Sequence, residues 1–148
     1  MPDMLRNALA LIGGFVIGSV INMALITLSP SLIPPPAGVD VTSADSMSRG
    51  IHLFEPRHFV MPFLAHALGT FAGALTTYLI AASHRAKLAW VIGVLFLCGG
   101  IAASLMIPAP AWFIAVDLLV AYLPMAWLAI QTGRRMIDGS RSAANPAA

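Results

Sequence analysis

The chain has 148 residues, of which 59% are hydrophobic and 9% charged, and its mean hydropathy is +0.86. Soluble domains carry about 25% charged residues, so this composition excludes a soluble domain and places the chain in a lipid bilayer. A formal charge of +2 spread over segment edges excludes a nucleic-acid surface. The single cysteine, Cys98, excludes an internal disulfide or a cysteine metal cluster and, inside an apolar run, reads as a small core residue.

Residues 8–28, ALALIGGFVIGSVINMALITL, form the first predicted span. The run exceeds the roughly 7 to 15 apolar residues of a signal peptide, and no small-residue cleavage site follows it, so it reads as a retained helix. Gly14, Gly18 and Asn22 recur every four residues and share one stripe of that helix.

The long loop, residues 29–56, divides in two. Pro30 and the run Pro34, Pro35, Pro36 predict extended chain, because proline lacks the N–H a helix needs. Beyond them Met47, Ile51 and Phe54 fall at helical spacing behind Ser43 or Asp45 as N-cap, which predicts a short amphipathic helix on the membrane surface or over the bundle mouth. His52, Glu55, Arg57 and His58 gather at that mouth, where Pro56 and Pro62 compete to open the second span.

The second span, residues 61–82, carries no formal charge but contains His66, and Ala65, Gly69, Gly73 and Thr77 form a ridge of small side chains along it. A turn from His84 to Lys87 leads to the third span, residues 88–107, whose Gly93, Gly100 and Ser104 offer another small-residue seam. Pro108, Ala109 and Pro110 make a minimal hairpin. The fourth span, residues 111–132, holds Asp117, and Pro124 predicts a kink by removing the hydrogen bond to the Val120 carbonyl. Residues 1–133 therefore form one domain, an all-α bundle of four membrane-spanning helices with one long external loop, and residues 134–148 read as a disordered tail.

Alternating four spans puts Arg6, Arg85, Lys87, Arg134, Arg135 and Arg141 on one side and leaves Arg49 and Arg57 on the other. The excess of basic residues marks the cytoplasmic side, so both termini are expected there and the loop outside. Counting from the outer ends then places Asn22, His66 and Asp117 at one level, roughly 6 to 13 Å below the outer interface. An unpaired charge at that depth costs about 3 kcal/mol or more, so Asp117 needs a partner or a proton, and either His66 or a surface residue such as Arg57 could be that partner. One buried histidine and one aspartate are too few for a metal unless His52, His58 or Glu55 folds inward, and one buried histidine is too few for haem. No cofactor is expected.

The stretches GSVINMALI, IPPPAGVD, HLFEPRHF leading into PFLAHALGT, and IPAPAWF followed by DLLVAYLPMAWL resemble a group of small four-helix bacterial membrane proteins with no assigned activity. The resemblance runs nearly the whole way to Gly133. It implies the bacterial inner membrane and brings no catalytic or binding residues. The leading functional expectation is a non-enzymatic bundle that contacts lipid and assembles as a homo-oligomer or within a larger membrane complex. A small oligomeric transporter or channel lined by Asn22, His66 and Asp117 is the alternative, and a membrane-embedded enzyme with an outward site and His66 as base is the third reading.

Overall fold

A computed structural model describes residues 2–144. The architecture is all-α. Four stretches among the described residues are long and apolar enough to cross a membrane: Asp3–Leu32, Pro56–Ile80, Arg85–Met106 and Ala111–Ser140. The chain is thus a multi-pass membrane protein by helix length and hydropathy. In chain order its helices are α1 (Asp3–Leu32), α2 (Ala44–Gly50), α3 (Val60–Ile80), α4 (Arg85–Met106), α5 (Ala111–Val120) and α6 (Leu123–Ala144), with short 3₁₀ turns at Ile51–Leu53 and Pro56–Phe59.

The outward faces of these helices carry large apolar side chains such as Ile12, Val20, Leu105 and Leu119, all exposed. In water that surface would be an aggregation liability, whereas against lipid tails it is the expected exterior. Cys98 belongs to this exterior. It is not the core residue its apolar surroundings suggest, because hydropathy alone does not say which side of a helix a residue faces.

α3 is the central helix and packs against α1, α4 and α6. Its contact with α1 is backbone on backbone. A Cβ added to Gly18 would stand 2.6 Å from the Gly69 carbonyl oxygen, one on Gly69 would stand 2.8 Å from the Gly18 carbonyl, and one on Gly73 2.7 Å from the Gly14 carbonyl. The small-residue faces of the first two spans therefore meet each other, and Thr77 closes the seam by donating its hydroxyl to the Ala10 carbonyl at 3.1 Å. Deeper in the bundle Ala74, Tyr78, Ala89, Ile92, Ala126, Ala129 and Ile130 form the core, again mostly small residues that bring α3, α4 and α6 close.

At the end of this core where α3 meets α4, Asn7 of α1 ties down the turn. Its carbonyl oxygen accepts the N–H groups of Ala82 at 2.9 Å and Ser83 at 3.3 Å, and its amide donates to the Ser83 hydroxyl at 2.9 Å. Arg6 donates Nε to the Ile80 carbonyl at 2.7 Å, which satisfies one of the free carbonyls at the end of α3. His84 then turns the chain with a left-handed backbone, φ 51°.

Predicted boundaries move at both ends of α1, which begins at Asp3 rather than at residue 8, and at the end of α6. α1 runs through Pro30 to Leu32, so extended chain starts only after it. Proline this close to a helix end loses one hydrogen bond to the residue four back and leaves the preceding turns intact. α6 continues to Ala144, so the part of the predicted tail up to that residue is helical, and residues 145–148 lie outside the described residues. The helix carries on because Ile137 packs against the Ala74–Ile130 core, a tertiary contact that a search for apolar periodicity in the tail does not see. Between α5 and α6 the chain turns at Ala121 and Tyr122, just ahead of Leu123 and Pro124; the proline has no N–H for the Val120 carbonyl, and the helix breaks where the sequence predicts a kink.

Candidate functional site

The loop between α1 and α3 folds over the opposite end of the bundle as a roof. A turn at Pro36–Val39, closed by the Val39 N–H donating to the Pro36 carbonyl at 3.1 Å, needs Gly38 at its third position, where φ is 83°. Ser43 then caps α2 by accepting the Ser46 N–H at 3.3 Å. This orientation turns Val41, Met47, Ile51 and Phe54 toward the bundle, where they line a cavity of about 290 Å³. Its other walls come from Ile26 of α1, Pro62 and His66 of α3, Gly100 and Ser104 of α4, and Phe113, Asp117 and Leu118 of α5. A second cavity of about 320 Å³ lies beside it under the proline segment and shares Ile26, Val41, Met47, Phe54, His58 and Pro62 with the first.

His66 and Asp117 stand together in the wall of the first cavity. His66 Nδ1 lies 2.9 Å from each carboxylate oxygen of Asp117. The Asp117 side chain is 6% exposed and that of His66 21%. Tyr122 completes the group: its hydroxyl donates to Asp117 Oδ2 at 3.0 Å, and its ring stacks on the imidazole at a centroid distance of 5.7 Å. Each of these positions has a local cause. His66 is one turn before Thr70, whose hydroxyl donates to the His66 carbonyl at 2.7 Å. Tyr122 sits in the break forced by Pro124, and Gly100 of α4 makes room for its ring, since a Cβ there would stand 2.8 Å from Tyr122 Cε2. Nδ1 is thus engaged by the carboxylate, while Nε2 has no hydrogen-bond partner among the described residues.

The remaining sequence candidates separate from this pair. Asn22 lies against Gly69, with its carbonyl oxygen buried and unpartnered, and hydrogen-bonds neither His66 nor Asp117. The hydrogen-bonded polar group is therefore His66 with Asp117, and Asn22 sits in the α1–α3 contact without joining it. Among the mouth residues, Arg57 and Glu55 form an exposed ion pair at 3.0 Å and His52 is exposed. No group of three metal-ligating side chains occurs among the described residues.

His58 is buried and ties the roof down. Its Nδ1 accepts the Glu55 N–H at 2.9 Å, which puts the ring proton on Nε2, and Nε2 donates to the Pro34 carbonyl at 3.2 Å. One imidazole thereby clamps the proline segment to the start of the second span. The aromatic cluster of Phe54, Phe59, Trp112 and Phe113 backs it, with Phe59 and Phe113 at 4.7 Å. Tyr122 and Asn7 were the residues a sequence reading passed over. Tyr122 has a signal only in hindsight of the break, two residues before an intramembrane proline and five after the aspartate.

No family model, curated protein or solved structure matches the chain. The chemistry of the site rests on its own geometry.

Proposed function

We propose that this chain is a non-enzymatic multi-pass protein of the bacterial inner membrane that holds a small, mostly apolar molecule in the outer half of its bundle. The supporting observation is the roofed cavity of about 290 Å³, apolar on nearly every wall, with His66 and Asp117 as its convergent polar group. Small-molecule sites share that composition and begin near this size, at roughly 300 Å³. Binding is favoured over catalysis because the hydroxyls around the pair are engaged elsewhere: Tyr122 donates to Asp117, Thr70 to the His66 carbonyl at 2.7 Å, and Ser104 of the cavity wall to the Ile101 carbonyl at 2.8 Å. The Gly14–Gly18 and Gly69–Gly73 faces contact each other within one chain, so assembly into a homo-oligomer or larger complex would use other surfaces.

Saturable binding of ethylnaphthalene to the purified protein, read as a rise in thermal midpoint, tests the cavity. Ser104→Phe, which fills it from α4, is expected to abolish that rise while leaving the protein folded. An equal rise in both proteins would place the probe in detergent or on the surface and sink the reading. The orientation, with both termini cytoplasmic, is supported by the six-to-two asymmetry of the basic residues. Ser46→Cys and Ser140→Cys in a Cys98→Ala background report it: an impermeant reagent applied outside should label the first only, and labelling of the second only would reverse the topology.

A further inference from the structure

Taking the outer cavity as a binding site, we propose that its ligand is a neutral, lipid-soluble carbonyl compound of about two fused rings, docked through its oxygen on the Nε2–H of His66. Ketones and quinones that partition into membranes belong to this class.

The size follows from packing. An engineered apolar cavity of about 150 Å³ holds benzene, and this one, at about 290 Å³, has room for roughly twice that ring. Phe54, Phe59 and Phe113 among its walls suit a flat aromatic body.

The polar contact follows from a census of the wall. His58 has both ring nitrogens engaged. The Ser104 proton is directed to the Ile101 carbonyl, and both Asp117 oxygens already accept from His66, one of them from Tyr122 as well. Among the described residues that line the cavity, His66 Nε2 is the one side-chain nitrogen or hydroxyl without a hydrogen-bond partner. Whether it donates or accepts is decided by charge. A histidine–aspartate pair carrying a net negative charge in an apolar wall is costly, because the surrounding side chains and lipid do not solvate the extra charge. The neutral pair holds two protons, one between Nδ1 and the carboxylate and the other on Nε2. The free nitrogen is therefore a donor, and a ligand matches it with an acceptor oxygen. A cation would find neither a net negative charge nor an open carboxylate edge.

Three probes that differ only in the polar group, acetylnaphthalene, ethylnaphthalene and naphthylethylamine, test this with the full chain in detergent. The ketone is expected to bind about tenfold more tightly than the hydrocarbon, the equivalent of one hydrogen bond, and the amine no more tightly than the hydrocarbon. His66→Leu should bring ketone and hydrocarbon to equal affinity, and His66→Gln, which keeps an N–H donor, should preserve part of the preference. The infrared carbonyl band of carbon-labelled acetylnaphthalene should fall on binding to the wild-type protein, a readout that does not depend on any variant folding. Equal binding of ketone and hydrocarbon to wild type, an unshifted carbonyl band or tighter binding of the amine overturns the carbonyl assignment while the cavity reading stands. Absence of saturable binding by all three probes overturns the cavity reading and this assignment with it.

Discussion

The two halves of the bundle solve the same packing problem in opposite ways. Along α1 and α3 glycine faces glycine, backbones touch, and a hydroxyl bonded across the interface closes the seam. Under the roof the same two helices hold Ile26, Pro62 and His66 apart around a cavity. Lipid tails are as apolar as leucine, so helix association here comes from close van der Waals contact and interhelical hydrogen bonds. A region that forgoes the close contact must be held by something else. In the outer half that is the His66–Asp117–Tyr122 group together with the His58 clamp.

The sharpest break of this contrast is a side chain in the seam. Gly69→Leu drives a Cβ into the Gly18 carbonyl and the Asn22 side chain, both within 3.0 Å. Because the obstacle includes backbone, relief requires helix separation, and the expected loss is about 3 kcal/mol, at the upper end of overpacking costs. The same enlargement at Gly13 or Gly99, where nothing lies within 4 Å, should change the thermal midpoint little. Equal effects at Gly69 and Gly99 would mean that the seam is not where stability resides.

Next in size is the outer polar group. Asp117→Leu leaves the Tyr122 hydroxyl and the His66 Nδ1–H without their acceptor, at a cost of about 1–3 kcal/mol for a buried polar group so stranded. Asp117→Asn keeps an acceptor oxygen and should cost clearly less. Thermal midpoints in one detergent compare them, and a smaller loss for leucine than for asparagine would show that the group does not stabilise the outer half.

How far these two regions could be read from the chain differs, and for a physical reason. Spans announce themselves by length and the cost of charge in hydrocarbon, so the four helices and the all-α class are legible, as is α2, whose cap is Ser43 of the two candidates Ser43 and Asp45. Helical rise is constant, so counting residues gives Asn22, His66 and Asp117 one expected level, and of these three His66 and Asp117 are hydrogen-bonded to each other. Azimuth depends on how helices rotate against each other, and only the small-residue stripes mark it: Asn22 continues the Gly14–Gly18 stripe and does face Gly69, whereas nothing around Cys98 in the sequence marks it as facing the exterior. Tyr122 owes its place to the proline break and to the space at Gly100 on another helix, a coincidence no local pattern encodes.

A smaller effect is expected in the roof. Ser43→Ala removes the hydroxyl that accepts the Ser46 N–H, and losing such a cap costs about 1 kcal/mol. Since α2 carries Met47 over the cavity, the change should appear as faster amide exchange in residues 44–50 with the exchange of α3 unaltered. Acceleration spread equally over α3 would join roof and seam into one cooperative unit and dissolve the contrast between them.

The smallest effect lies at Asp40, fully in solvent, and it sharpens the contrast by separating the roof from the spans through pH. The carboxylate accepts the Thr42 hydroxyl at 2.7 Å and the Thr42 N–H at 2.9 Å, and these two bonds hold it below the usual carboxylate range. Hydrogen bonds to the charged form favour that form, so the folded loop binds a proton less readily than the unfolded loop. The stability from this group is accordingly complete above the ordinary carboxylate value, begins to fall as pH drops through it and is gone once the pH is below the lowered value of the folded loop. Amide exchange at residues 39–46 should therefore accelerate on acidification through that window, after correction for intrinsic rates, while exchange in the seam around Gly69 and Gly73 does not respond to Asp40. In Asp40→Asn the acid response of the loop should shrink, because the amide oxygen still accepts both bonds but no longer titrates. An undiminished acid response in that variant would assign the loop's pH dependence to another group and remove Asp40 as the cause.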